Sequence, residues 1–196
     1  MNPFQIDLGA LLIACRKALL GRADWVEGVD LSRRGFWQSF AALGLCVPAL
    51  YVCAIAIARQ RARIFDMPES LVSPLIFAVV ALIYLLTFSA TAYIICAAFS
   101  KQNRFRPWVI LRHWSVFFIV LLTASLYGLN ILGVLPFEIA NFAALGLYLS
   151  VLAVDIRLAH IIGGFDITPA IFTACIIFGM GLSVLLIGVA QIGAAG

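Results

Sequence analysis

The chain has 196 residues, of which 64% are apolar and 11% charged, where a soluble domain carries roughly 25% charged residues. Too few polar side chains remain to coat a soluble fold, and the apolar residues come in long uncharged blocks. That composition excludes a soluble enzyme, a disordered chain and a nucleic-acid module as leading readings, and points to a multi-spanning membrane protein. The net charge of +4 then marks loops on one side of a membrane, with no need for a nucleic-acid partner.

Residues 1–35 form a cytoplasmic N-terminal segment. Asn2-Pro3 is a plausible helix start, and Phe4, Leu8, Leu11, Leu12, Cys15 and Leu19 share one helical face. That face suits a helix lying in the membrane interface, although Ile6, Ile13 and Leu20 on the opposite face leave its amphipathicity moderate. Leu12-Ile13-Ala14-Cys15 resembles a lipoprotein cleavage box, but no basic residue precedes it, Asp7 breaks the apolar stretch and Arg16-Lys17 follow. Gly21 to Gly35 reads as a polar connector.

Residues 36–196 hold five segments near the roughly 20 apolar residues that a spanning helix needs. They cover about 36–58, with Pro48 as a kink, then 71–99, 115–135, 139–162 and 169–192. The fourth is expected to continue through Asp155, and the fifth to start at Thr168-Pro169, an N-cap followed by proline at the first helical position. The fold class is therefore all-α: a polytopic bundle of five transmembrane helices plus the interfacial helix. Lys and Arg number five before the first span, three in the first loop, four in the second and one in the fourth. With the N-terminus inside, ten fall on the cytoplasmic side and three (Arg59, Arg61, Arg63) outside, which leaves the C-terminus outside. A re-entrant first segment gives a weaker asymmetry.

The most distinctive polar feature is the second loop, where Lys101, Arg104, Arg106 and Arg112 are interleaved with Phe105, Trp108 and Trp114. Beside two spans, this pattern suits contact with anionic headgroups or a partner protein, with Trp108 and Trp114 in the aromatic belt and His113 among these anchors. Glu138, at the tight turn between the third and fourth spans, reads as an exposed interfacial carboxylate. Asp155, Arg157 and His160 read as anchors at the cytoplasmic end of the fourth helix. Asp155 and Arg157, two apart, do not face each other. Asn130 and Asn141 read as caps or interhelical bonds, and Gly146/Ser150 and Gly179/Ser183 as small pairs that permit close helix approach or a homo-oligomer. The five cysteines form no CxxC and read as apolar packing. No catalytic, metal or cofactor set is visible, and none is expected.

The stretches SRRGFWQSFAALGLCVPALY and FRPWVILRHWSVFFIVLL, with the five-span layout, resemble uncharacterised bacterial inner-membrane proteins distantly similar to the Yip1 family. The resemblance implies a compact bundle in the inner membrane that acts through partners or lipids, and it carries over no catalytic residue. The expected function is a non-enzymatic scaffold, or lipid- and partner-binding protein, working through a basic cytoplasmic face. The alternative is a small transporter or channel component.

Overall fold

The computed structural model describes residues 7–66 and 73–194. Asn2, Pro3, Phe4 and Ile6, expected in the first helix, and Leu71, expected in the second span, lie outside the described residues. Among those described there is no strand. Six α-helices follow one another: α1 (Leu8–Leu19), α2 (Arg33–Phe65), α3 (Pro74–Ala98), α4 (Gln102–Ile131), α5 (Phe137–Ile161) and α6 (Ile167–Ala194), with a 3-10 turn at Ala23–Gly28 between the first two. The last five contain segments long and apolar enough to cross a membrane.

Local chemistry sets the ends. The Asp7 carboxylate accepts the Ala10 N–H at 2.9 Å and caps α1, while Arg16 and Lys17 fall in its last turn, where the helix dipole favours cations. Lys17 also pairs with Asp24 at 2.9 Å and holds that carboxyl below its usual range. Ser32 caps α2 by accepting from Arg34 and Gly35 N–H, and Pro74 stands at the start of α3, where its missing N–H costs nothing. Pro48 lies inside α2. Asn130 closes the α4–α5 turn by donating to the Leu135 carbonyl at 3.0 Å, and the Tyr127 hydroxyl donates to Asn141 at 2.9 Å across that turn.

Two helices differ from the apolar blocks that announced them. α2 has 33 residues, about 50 Å at the usual rise, against an apolar membrane core of about 30 Å. Its ends therefore project, with Arg33 and Arg34 at one end and Arg59, Arg61 and Arg63 at the other. α4 starts at Gln102 and not near 115. The basic stretch expected as a loop is its first turns, and only Phe99 to Lys101 connect it to α3.

α4 is the middle of the bundle: α1, α2, α3 and α5 all pack on it, and α6 packs on α3 and α5. From Trp108 to Phe117 every residue of α4 is buried, as happens when a helix is covered on all sides. α3 shows its covered stripe as Ala81, Leu85, Phe88, Ala92 and Ile95, alternating steps of four and three. α1 meets the bundle through Ala14, Cys15 and Ala18, while Leu8, Leu12, Ile13 and Leu20 are exposed. These four can face outward because lipid solvates them as well as protein does, while Leu11 and Leu19 pack on the core. Gly146 and Gly179 also face outward, with nothing near where a Cβ would stand.

Ring contacts fix which ends meet. Phe105 lies 5.7 Å from Phe36 and 5.6 Å from Tyr93, and Phe99 lies 5.5 Å from Phe165. The starts of α2, α4 and α6 thus gather with the ends of α3 and α5. This end carries most of the basic residues and is called the basic end below.

Gly35 illustrates how tightly the connector folds onto α2. An added Cβ there would collide with the Asp30 carbonyl, whereas one at Gly44 meets nothing within 4 Å. Gly35→Ala is expected to cost about 1–3 kcal/mol and to lower the melting temperature of the detergent-solubilised protein. Gly44→Ala should leave it unchanged or slightly raised.

Candidate functional site: a polar core at the basic end

Arg112 and Asp155 meet inside the bundle. The Arg112 Nε donates to Asp155 Oδ1 at 3.2 Å, and the two residues are 6% and 1% exposed. The guanidinium also lies over the Phe88 ring at 4.4 Å, a cation–π contact that strengthens where water is excluded. Counting the usual rise, Arg112 stands about 15 Å from the start of α4 and Asp155 about 9 Å from the end of α5. Asp155 Oδ2 has no protein partner among the described residues.

The next residue, His113, is fully buried. Its Nδ1 is 3.0 Å from Ser39 Oγ and its Nε2 2.9 Å from Ser89 Oγ. The Ser39 hydroxyl donates its proton to the Phe36 carbonyl at 2.7 Å, so Ser39 Oγ must accept from His113 Nδ1–H. In the neutral imidazole, Nε2 then accepts from the Ser89 hydroxyl. Phe40 meets the ring edge-on at 4.8 Å. One side chain of α4 thereby joins α2 and α3, as its neighbour Arg112 joins α5.

The residues singled out in the sequence separate into three groups. Arg104 and Arg106 are exposed on the first turns of α4, with no ion pair among the described residues. Lys101, Arg157 and His160 hold turns together. Lys101 Nζ donates to the Gly164 carbonyl at 2.7 Å and sits 5.0 Å over Phe165. Arg157 Nε donates to the Leu19 carbonyl at 3.1 Å and so fastens α1 to α5, and His160 Nδ1 lies 2.7 Å from the Phe165 carbonyl. The third group is buried, in contrast to the headgroup positions expected for it: Arg112, Trp108, Trp114 and Asp155. The reason is the early start of α4, which carries Trp108 to Trp114 into the enclosed part of the bundle. Asp155 and Arg157 do point apart, one to Arg112 and the other to α1. Glu138 is exposed in the first turn of α5, at the opposite end.

Ser39, Ser89 and Phe88 were not visible as site residues, because single hydroxyls and a phenyl ring in apolar spans carry no motif. The one available signal was Arg112 and Asp155 themselves, two opposite charges in otherwise apolar surroundings, with Leu111 before Arg112 and Val154 and Ile156 beside Asp155. Among the described residues, no three His, Cys, Asp or Glu side chains converge as metal ligands.

Arg112→Ala or Asp155→Ala alone leaves an unpaired buried charge and is expected to cost about 3–5 kcal/mol. The double variant Arg112→Met/Asp155→Leu should recover most of that loss. Thermal unfolding of all three in one detergent measures it, and a double variant no more stable than the singles would count against the pairing.

No family model, curated protein or solved structure matches the chain.

Proposed function

We propose that the chain is a non-enzymatic, multi-pass protein of a bacterial inner membrane that binds anionic lipid or a partner protein through its basic end, with that end in the cytoplasm. The Yip1-like resemblance of the sequence agrees with this reading. The observation that carries it is the placement of Arg104 and Arg106. Both are exposed, and both sit at the start of α4 without an acidic residue in its first turn. Cations there oppose the helix dipole, so their benefit is sought outside the helix, at an anionic surface. Arg33 and Arg34 stand exposed at the start of the neighbouring α2 and extend the same face.

Lipid analysis of the protein purified in mild detergent tests this. Anionic phospholipid should be enriched over its share in the source membrane. In Arg104→Gln/Arg106→Gln the enrichment should fall about fivefold per arginine removed. Equal lipid composition for both proteins, with no partner captured by crosslinking, would remove the proposal.

A transport role has one observation in its favour, the unpartnered Asp155 Oδ2. Flux of an ion or proton in reconstituted vesicles that is abolished in Asp155→Asn would place transport first.

A further inference from the structure

A groove of about 370 Å³ runs between α1 and the α4–α5 face. Its walls are apolar, with Leu12 and Leu19 on α1 and Phe118 and Ile119 on α4. Two polar groups interrupt this lining. Arg16 stands at the groove on the exposed side of α1, without an ion pair among the described residues. Ser115, 5% exposed, contributes a hydroxyl with no oxygen or nitrogen partner among the described residues and only the sulfur of Cys15, a weak acceptor, beside it.

The Ser115 hydroxyl is unlike its counterparts elsewhere in the bundle. Thr87, Thr91, Thr123 and Ser125 each donate to the carbonyl four residues earlier. For Ser115 that carbonyl belongs to Leu111, which instead takes the Cys15 thiol proton at 3.8 Å. Ser115 Oγ, enclosed beside the apolar groove, is left with a proton that only the Cys15 sulfur faces. Burial pushes the Cys15 thiol up to about 11, so near neutral pH this wall holds no thiolate that would repel an anion.

Resting on the lipid-binding reading above, we infer that this groove is a site for one anionic glycerophospholipid. The phosphate is held by Arg16, an ester carbonyl accepts from Ser115 Oγ, and an acyl chain lies along Phe118 and Ile119. The order matches the direction of α4, because Phe118 and Ile119 follow Ser115 by about one turn, some 5 Å further from the basic end. The hydroxyl therefore sits on the headgroup side of the acyl-chain contacts, as an ester would, and Arg16 lines the same groove.

Native mass spectrometry of the full chain tests the site, with phosphatidylglycerol and phosphatidylcholine of identical acyl chains offered in equal amounts. The wild type should retain one phosphatidylglycerol in preference to phosphatidylcholine. Arg16→Gln should reduce that preference roughly fivefold. Ser115→Ala, which removes only an unpartnered hydroxyl and leaves the fold intact, should weaken retention of both lipids about threefold. Arg104→Gln/Arg106→Gln should leave this single lipid in place. Equal retention of the two lipids by the wild type, or unchanged retention in both Arg16→Gln and Ser115→Ala, overturns the site. If the retained anionic lipid is lost only in the Arg104/Arg106 variant, the groove is wrong and the basic-face reading stands. No anionic preference in any form of the protein removes both.

Discussion

The buried pair of Arg112 and Asp155 is the constraint around which the bundle is arranged. Apolar helices in lipid gain little from choosing one register over another, since lipid chains solvate leucine as well as protein does. A guanidinium and a carboxylate inside the same bundle have no such freedom, because each unpaired charge would carry a cost of several kcal/mol. Their meeting fixes α5 along α4. The adjacent His113 fixes α2 and α3 through Ser39 and Ser89. Phe88 serves both residues, lying 4.4 Å from the guanidinium and 6.2 Å from the imidazole. Two consecutive residues of one helix thus position three others.

That internal use of charge changes what the basic end offers outward. Arg112 is turned inside, Lys101 ties the α3–α4 turn to the α5–α6 turn, Arg157 holds α1, and Lys17 is paired with Asp24. Counting Lys and Arg by loop treats all of these as equal contributions to one face. The structure divides them into cations that hold elements together and cations that stand free at helix starts, with Arg104 and Arg106 in the second group. A surface charge count made from the sequence therefore overstates what a lipid or partner would meet.

Much of the architecture was legible because hydrocarbon demands uncharged blocks of a set length, and α3, α5 and α6 begin within a few residues of those blocks. The start of α4 was not legible. An arginine at the headgroups and an arginine paired inside a bundle look alike in one sequence, so Arg112 was placed outside. The local pattern held a hint, since Trp108 to Leu111 are all apolar before Arg112, as an enclosed helix would be. For α1 the difficulty was different. The expected stripe held Leu11, Cys15 and Leu19, which pack on the bundle, together with Leu8 and Leu12, which face outward, and it lacked Ala14 and Ala18, which touch the bundle. In water, the large apolar face of a helix marks the core. In a membrane large apolar residues stand on both the contact and the lipid-facing side, and small residues add the signal that separates them.

The same reasoning says where to look for function when apolar patterning is uninformative. Polar atoms without partners are the costly exceptions in a bundle, and among the described residues Trp108 Nε1, Ser115 Oγ and Asp155 Oδ2 are such atoms. Two of them come from one stretch of α4, and the third is on the residue paired with Arg112. A transport path would have to reach Asp155, and Trp108 Nε1 is enclosed likewise. Neither of the two hollows beside α1 is lined by either residue. Ser115 alone lines one, and that hollow is apolar with a cation beside it. The distribution of unpartnered atoms thus separates the two readings by position: lipid binding draws on Ser115 beside the groove under α1, and transport would need the enclosed centre to open.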